Sequence, residues 1–240
     1  DMGKNLIQQA RGKGGPNYRN PGFRMAGAIS LPPRTMEPLM GKIIDLIKCP
    51  GHSAPLAKIR YGSNEIVTSA VEGLRVGGVV VSGPGVPAEA GNTLTLRDIP
   101  EGMMISNIEH VAGDGGRYCR TGGAFARIVT KTAGGVIVML PSKKQRAFAF
   151  DCRATIGLVA GSGRTEKPML KAGNKHHLKR MKNKRWPNPS GAAQNAVDHP
   201  FGNKRTSRKA KRKAVGHDAP PGRKVGSLWP RTQERVNENG

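Results

Sequence analysis

The chain has 240 residues, of which 40 are Lys or Arg and 16 are Asp or Glu, so its formal net charge is +24. Only 36% of the residues are hydrophobic, and no run approaches the roughly 18 consecutive apolar residues that a membrane-spanning helix needs. These totals exclude a membrane span and favour one large or two small domains that bind a polyanion, for which nucleic acid is the first candidate.

The first 40 residues are rich in Gly and Pro, with a basic side chain every few positions. The stretch ARGKGGPNYRNPGFR (10–24) has too few apolar side chains to build a core, and the N-terminus lacks the apolar run of a secretory signal. We predict a basic, irregular N-terminal extension over residues 1–40, in which Arg11, Lys13 and Arg19 bind phosphates.

The middle of the chain predicts a mainly β fold. Ten short runs rich in Val, Ile and Thr recur with turn residues between them, a spacing typical of small barrels or sandwiches. They fall into two clusters of about five, divided near Ile99, so we predict two small barrels in tandem over residues 41–99 and 100–160. The predicted strands are residues 41–48, 55–61, 65–71, 78–82, 92–99, 103–110, 124–131, 135–141, 146–151 and 154–159.

One loop in this region has the spacing of a dinucleotide-binding motif. GPGVPA (83–88) follows a predicted strand, but Pro84 and Pro87 remove two backbone N–H donors and no helical period follows. We therefore interpret it as a loop that connects two strands.

Residues 161–240 carry 20 basic and 5 acidic side chains, and one short helix is predicted over residues 172–184. The remainder cannot bury enough apolar surface to offset its chain entropy, so we expect an external partner to order this C-terminal extension. Arginine suits bidentate phosphate contacts, and glycine lets the backbone approach closely. The predicted RNA-binding residues here are Arg164, Lys167, Lys171, Lys175, His177, Lys179, Arg180, Lys184, Arg185, Trp186, His199, Arg208, Lys209, Lys211, Arg212, Lys213, Arg223 and Lys224.

The sequence evidence for a metal site, a disulfide or a catalytic site is weaker than the evidence for nucleic-acid binding. Cys49, Cys119 and Cys152 are odd in number and lack a Cys-x-x-Cys pair, which favours buried free thiols; we predict no metal and no cofactor. Asp198 and His199 could form half of a hydrolytic site, but no nucleophile elbow accompanies them. We interpret His199 as an RNA contact and keep an acyl-transfer enzyme as the alternative.

Four separated motifs carry a family resemblance. QQARGKGGPNYR (8–19), LVAGSGRTEKPMLKAGNKHH (158–177), WPNPSGAAQNAVDHP (186–200) and HDAPPGRKVG (217–226) resemble the universal large-subunit ribosomal protein L-two family, in its archaeal and eukaryotic branch. The resemblance implies an OB-fold barrel followed by a Src-homology-three-like barrel. It also implies extensions that bind large-subunit ribosomal RNA near the peptidyl-transferase region.

The same resemblance implies a structural, non-enzymatic role in translation and a cytoplasmic location in the ribosome. The implied partners are ribosomal RNA, other ribosomal proteins and the small subunit, with no membrane and no small-molecule substrate. His199 matches a histidine in the family segment Asp-His-Pro-His-Gly-Gly-Gly, but the second histidine is Phe201 here and the glycine run is reduced to GNK (202–204). A general nucleic-acid packer, indifferent to sequence, is the remaining alternative.

Overall fold

The structure is a computed structural model that describes residues 3–20, 22–203 and 214–228. The chain divides into two compact units. We call Pro21–Lys171 the strand unit, and we call Asp1–Asn20 together with Ala172–Gly240 the cationic unit. The barrel boundaries at residues 40, 99 and 160 stay predictions.

All ten predicted strands form, and the mainly β prediction is confirmed. Val, Ile and Thr favour these strands because branched side chains pack well on a pleated surface. The strands are β1 (Leu39–Ile47), β2 (Leu56–Tyr61), β3 (Asn64–Ser69), β4 (Val79–Ser82), β5 (Thr93–Thr95), β6 (Met104–Ser106), β7 (Ala126–Thr132), β8 (Gly135–Met139), β9 (Gln145–Phe148) and β10 (Arg153–Ile156).

Several strands are shorter than predicted, and β5 and β6 are shortened most, each because the chain turns. After β5, the Thr95 hydroxyl donates to the Asp98 carboxylate at 2.6 Å, and the Asp98 N–H donates to the Thr95 carbonyl at 3.0 Å. After β6, Asn107 adopts the left-handed region with φ of 47°. Both turns end the pairing before the apolar run ends.

The strands form one hydrogen-bonded sheet in the order β3-β2-β1-β4-β5-β10-β6-β7-β8-β9. Every pairing is antiparallel except the single parallel pair between Ser82 of β4 and Thr93 of β5. The loop 83–88 connects these two strands, as its interpretation from the sequence predicts.

Two larger groups of buried side chains form the core of the strand unit. One includes Ile43, Ile59 and Val80 from β1 to β4, and the other includes Ile105 and Ile128 with further side chains of β5 to β10. Each such buried aliphatic side chain contributes about 1.5–3 kcal/mol relative to exposure. The sheet therefore rests on two apolar centres, although the positions of two separate barrels remain a prediction.

A buried ion pair, which the sequence pattern did not indicate, lies beside the second centre. Glu109 is fully buried and Arg153 is 8% exposed. The Glu109 carboxylate accepts the Arg153 backbone N–H at 2.9 Å and the Arg153 Nη2–H at 2.9 Å. Burial opposes ionisation, but these hydrogen bonds outweigh it, so the pKa of Glu109 lies below its usual value.

Among its described residues, the cationic unit contains two α-helices, α1 (Ile7–Gly12) and α2 (Ala172–Met181). The sequence pattern did not indicate α1, whose start is held by the Gln9 side chain, because Oε1 accepts the Leu6 N–H at 2.8 Å. The helix predicted over residues 172–184 is confirmed as α2, but it ends three residues earlier.

Candidate nucleic-acid interface

The cationic unit concentrates positive charge from both ends of the chain. Its sequence holds 21 Lys and Arg residues against 5 Asp and Glu. Among its described residues the carboxylates are Asp198 and Asp218, and these lie within 3.7 Å of Lys4 and 2.9 Å of His217 respectively. Little negative charge is therefore present to balance the cations, which favours an anionic partner.

Helix α2 carries the central part of this charge. It has no acidic residue in its first turn, and Lys179 and Arg180 lie in its last turn, where cations interact favourably with the negative end of the helix dipole. None of its residues is buried. A ten-residue helix with no buried residue has little packing to stabilise it, which favours stabilisation by a bound partner.

Asn183 ends α2 and joins it to the N-terminal segment. Asn183 has φ of 47°, and the Lys184 N–H donates to the Lys179 carbonyl at 2.9 Å, as in a Schellman motif. The Asn183 amide then donates to the backbone carbonyls of Arg19 at 2.8 Å and Pro16 at 3.3 Å. One residue thus both terminates the helix and positions the first basic arm.

The structure distributes the predicted site residues between the two units. Arg164, Lys167 and Lys171 belong to the strand unit, and Arg164 donates to the Gly122 carbonyl at 3.0 Å. Lys179, Trp186 and His199 are half-buried. The exposed ones are Arg11, Lys13, Arg19, Arg164, Lys167, Lys171, Lys175, His177, Arg180, Lys184, Arg185, Arg223 and Lys224.

Five of the predicted RNA-binding residues lie outside the described residues: Arg208, Lys209, Lys211, Arg212 and Lys213. Exposure leaves most of the described cations accessible to phosphates. Their individual contacts with RNA stay predictions.

Trp186 has a cation beside its ring. The Lys175 ammonium lies 5.6 Å from the ring centroid, within the range of a cation–π interaction. Lys175 is one turn into α2, so this contact connects the helix to the segment that follows it. An indole fixed among cations is suited to stacking on a nucleobase.

Asp198 and His199 do not form the hydrogen-bonded pair that a catalytic site needs. The Phe201 N–H donates to His199 Nδ1 at 3.0 Å, so Nδ1 must lack a proton and the neutral ring carries its proton on Nε2. An Asp that oriented a general base would instead accept a hydrogen from this Nδ1. Asp198 lies 3.7 Å from the Lys4 ammonium.

Packing fixes the His199 ring further. A Cβ added at Gly191 would lie 2.3 Å from the ring, so a larger residue there would displace the ring. The ring centroid of Phe201 lies 5.1 Å from that of His199. Burial lowers the pKa of His199, which favours a neutral imidazole. The segment is a locked turn with an Nε2–H donor.

The three cysteines are free: Cys49 and Cys152 are buried and Cys119 is half-buried. Within residues 3–20, 22–203 and 214–228, no group of three His, Cys, Asp or Glu side chains could hold a metal ion. Over the same ranges, no helix is long and apolar enough to cross a bilayer.

Sequence reasoning missed Lys4 and Asn183, which organise the interface through long-range contacts. An Asn just beyond a basic helical run is a signal for the helix end, because Asn tolerates the left-handed conformation. No local pattern indicates that Lys4 lies beside Asp198, since 194 positions separate them.

A mainly β unit accompanied by a unit of concentrated positive charge is typical of a nucleic-acid-binding protein. Comparison with known proteins identifies the family. The family described as "Ribosomal Proteins L2, C-terminal domain" matches residues 89–219. The chain belongs to this ribosomal protein L2 family.

Archaeal relatives match along almost the whole chain. The chain is 44% identical to "Large ribosomal subunit protein uL2" of Archaeoglobus fulgidus, over 95% of this chain and 96% of that one. It is 42% identical to the protein of the same name from Methanococcus maripaludis strain C6, over 98% of this chain and 100% of the relative. The protein of that name from Natronomonas pharaonis is 40% identical, over 100% of this chain and 99% of its own length.

Proposed function

We propose that this chain is a structural constituent of the large ribosomal subunit, and that its cationic unit binds ribosomal RNA. The observation that carries the proposal is the concentration of 21 basic residues against 5 acidic ones in a unit built from both chain ends. Membership of the L2 family agrees with this role and with a location in the cytoplasmic ribosome.

The mechanism is electrostatic and geometric. Each Lys or Arg that neutralises a phosphate releases condensed counterions, and this release supplies affinity that falls with salt. The strand unit, in which we place the two barrels at residues 41–99 and 100–160, acts as the folded anchor. By family resemblance, the bound RNA lies near the peptidyl-transferase region, and the protein supports subunit association and translation.

No catalytic role is assigned to the chain. The enzyme alternative requires Asp198 to orient the His199 ring through Nδ1, but that nitrogen accepts the Phe201 N–H. His199 is instead suited to donate through Nε2 to a phosphate, a ribose hydroxyl or a base edge.

The proposal is tested by titrating the full chain against large-subunit ribosomal RNA at increasing salt. We expect the logarithm of affinity to fall linearly with the logarithm of salt, with a slope of about −0.7 to −0.9 for each phosphate neutralised. Affinity that hardly changes with salt would contradict the proposal. Equal binding to duplex DNA of the same length would favour a general nucleic-acid packer.

A further inference from the structure

A cleft of about 370 Å³ lies inside the cationic unit, between the N-terminal segment and the end of α2. This volume is at the lower end of the range of about 300–1,000 Å³ that is usual for small-ligand sites. None of the residues that line it is acidic. The lining residues that matter for a ligand are Asn17, Tyr18, Arg180, Lys184, Arg185 and Trp186.

We propose that this cleft holds one unpaired adenosine of the bound RNA, which is an inference that rests on the proposed function. The base stacks on the aromatic side chains of the cleft, and its phosphate binds the basic ones. The cleft thereby adds recognition of a single extruded nucleotide to the general attraction between the protein and phosphates.

The first support is that two aromatic side chains line the same cleft. The whole chain has only two Trp and three Tyr, yet Trp186 and Tyr18 line the same cleft although they are far apart in sequence. Both side chains are half-buried, and Lys175 lies beside the Trp186 ring at 5.6 Å. Aromatic side chains that face a cationic groove commonly take unstacked bases.

The second support is the charge of the lining. Arg180, Lys184 and Arg185 are all exposed and line the cleft without a carboxylate among them. A cationic or purely apolar ligand would leave these charges unpaired, whereas a phosphodiester would pair with them. The combination of cations and aromatic rings therefore fits a nucleotide.

The third support is the scaffold that keeps the cleft open. The Asn183 amide donates to the Arg19 carbonyl at 2.8 Å and to the Pro16 carbonyl at 3.3 Å, so the segment that carries Asn17 and Tyr18 is attached to the helix end. The Tyr18 N–H donates to the Gly15 carbonyl at 2.9 Å. These hydrogen bonds join the two walls of the cleft in the folded unit.

Asn17 is compatible with adenine. Its exposed amide presents one donor group and one acceptor, a pattern that pairs with N6 and N7 of adenine, and the two-ring adenine offers a larger face for stacking than a pyrimidine does. A base inside a regular A-form helix cannot reach such a cleft, because its edges lie in a deep, narrow groove. The ligand must be a bulged, looped or terminal nucleotide.

The test uses the full chain and three end-labelled RNA hairpins of one sequence. The first is fully paired, the second carries one bulged adenosine and the third carries one bulged uridine. We expect the adenosine bulge to bind about 10-fold more tightly than the paired hairpin, since stacking on an aromatic side chain contributes on this order. The uridine bulge should show a smaller increase in affinity over the paired hairpin.

Variants separate stacking from charge. Trp186→Ala and Tyr18→Ala should each lower the ratio of bulge affinity to paired-hairpin affinity, and Trp186→Phe should retain part of this preference. Asn17→Ala should narrow the difference in affinity between the adenosine and uridine bulges. The control is Phe23→Ala, because Phe23 is 86% exposed, lies outside the cleft and should be without effect.

Two outcomes would overturn the inference and leave the proposed function intact. One is equal, salt-dependent binding of all three hairpins by the unmodified chain. The other is a bulge preference that survives in Trp186→Phe, Trp186→Ala and Tyr18→Ala alike. Failure to bind any hairpin even at low salt would instead contradict the proposed function itself.

Discussion

The side-chain amide of Asn183 donates a hydrogen bond of 2.8 Å to the backbone carbonyl of Arg19. This contact spans 164 positions of the sequence and joins the end of α2 to the N-terminal segment. Asn183 also holds the left-handed position that ends the helix, so one side chain determines both the length of α2 and the position of the first basic arm.

Replacement of Asn183 should weaken RNA binding without removing any charge. Asn183→Ala loses two hydrogen bonds, each of which contributes about 0.5–1.5 kcal/mol, and it introduces a residue that disfavours the left-handed conformation. We expect affinity for ribosomal RNA to fall about 5- to 10-fold, as measured by filter binding, with faster amide exchange in residues 15–20 of the complex.

Asn174→Ala is the matched control, because Asn174 is exposed on α2 and takes no part in the contact with Arg19. It should keep the affinity of the unmodified chain. Equal losses in both variants would show that the contact between Asn183 and Arg19 has no role in binding.

Removal of two cations at the end of α2 should change the salt dependence of binding. In Arg180→Gln/Lys184→Gln we expect the slope of log affinity against log salt to become shallower by about 0.7–0.9 for each phosphate that the variant no longer neutralises. Arg60→Gln is the control, since Arg60 is paired with Glu65 at 2.6 Å in the strand unit. An unchanged slope in the double variant would exclude these two residues from the interface.

His199 should titrate as a partly buried imidazole whose tautomer does not depend on Asp198. Nitrogen NMR of the ring should show Nδ1 without a proton and Nε2 with one at neutral pH, and Asp198→Asn should leave this pattern unchanged. Because burial lowers the pKa of His199 in the folded chain, its contribution to stability is present above the unfolded pKa of about 6.5.

That contribution is lost as the pH falls through the lower, folded pKa. In His199→Gln, the free energy of unfolding should therefore depend less on pH between the folded and unfolded pKa of His199. A proton on Nδ1 that disappears in Asp198→Asn would support the catalytic alternative.

The buried pair of Glu109 and Arg153 should be the most sensitive ionic contact in the strand unit. Glu109→Gln leaves the Arg153 guanidinium buried without its counter-charge, and we expect a loss of about 3–5 kcal/mol in the free energy of unfolding. Since the folded pKa of Glu109 is lowered, the stability that this pair supplies is present above the unfolded pKa of about 4.3 and is lost as the pH falls through the folded value.

Glu65→Gln is the comparison for this prediction, because Glu65 pairs with Lys58 and Arg60 at the surface. Chemical denaturation should show a much smaller change in this variant. Equal effects of the two substitutions would contradict the role assigned to Glu109.

Much of the strand unit could be predicted from the sequence, because its information is local. The β-branched runs gave all ten strands, and the basic run at residues 172–184 gave α2. The contacts that shape the interface could not be predicted in this way. The contacts of Asn183 with Arg19 and of Lys4 with Asp198 bring together residues that are far apart in sequence. The periodicity of a local sequence pattern contains no information about such long-range contacts.

The role of His199 could not be predicted from the local sequence pattern either. The adjacent letters of Asp198 and His199 suggest a pair, but the turn directs Asp198 towards Lys4 and gives His199 Nδ1 the Phe201 N–H. Burial of Glu109 was equally hidden, since a single Glu at the end of a strand run normally faces solvent. Its partner Arg153 lies 44 positions further along the chain.

The central claim is that ribosomal RNA stabilises the cationic unit, and amide hydrogen exchange across α2 tests it most directly. The full chain is compared alone and in complex with large-subunit ribosomal RNA, with β7 and β8 as the internal reference. We predict fast exchange for residues 172–181 without RNA, strong protection with it, and no change in β7 and β8. Protection of α2 that is already complete in RNA-free protein, or that RNA leaves unaltered, would contradict the claim.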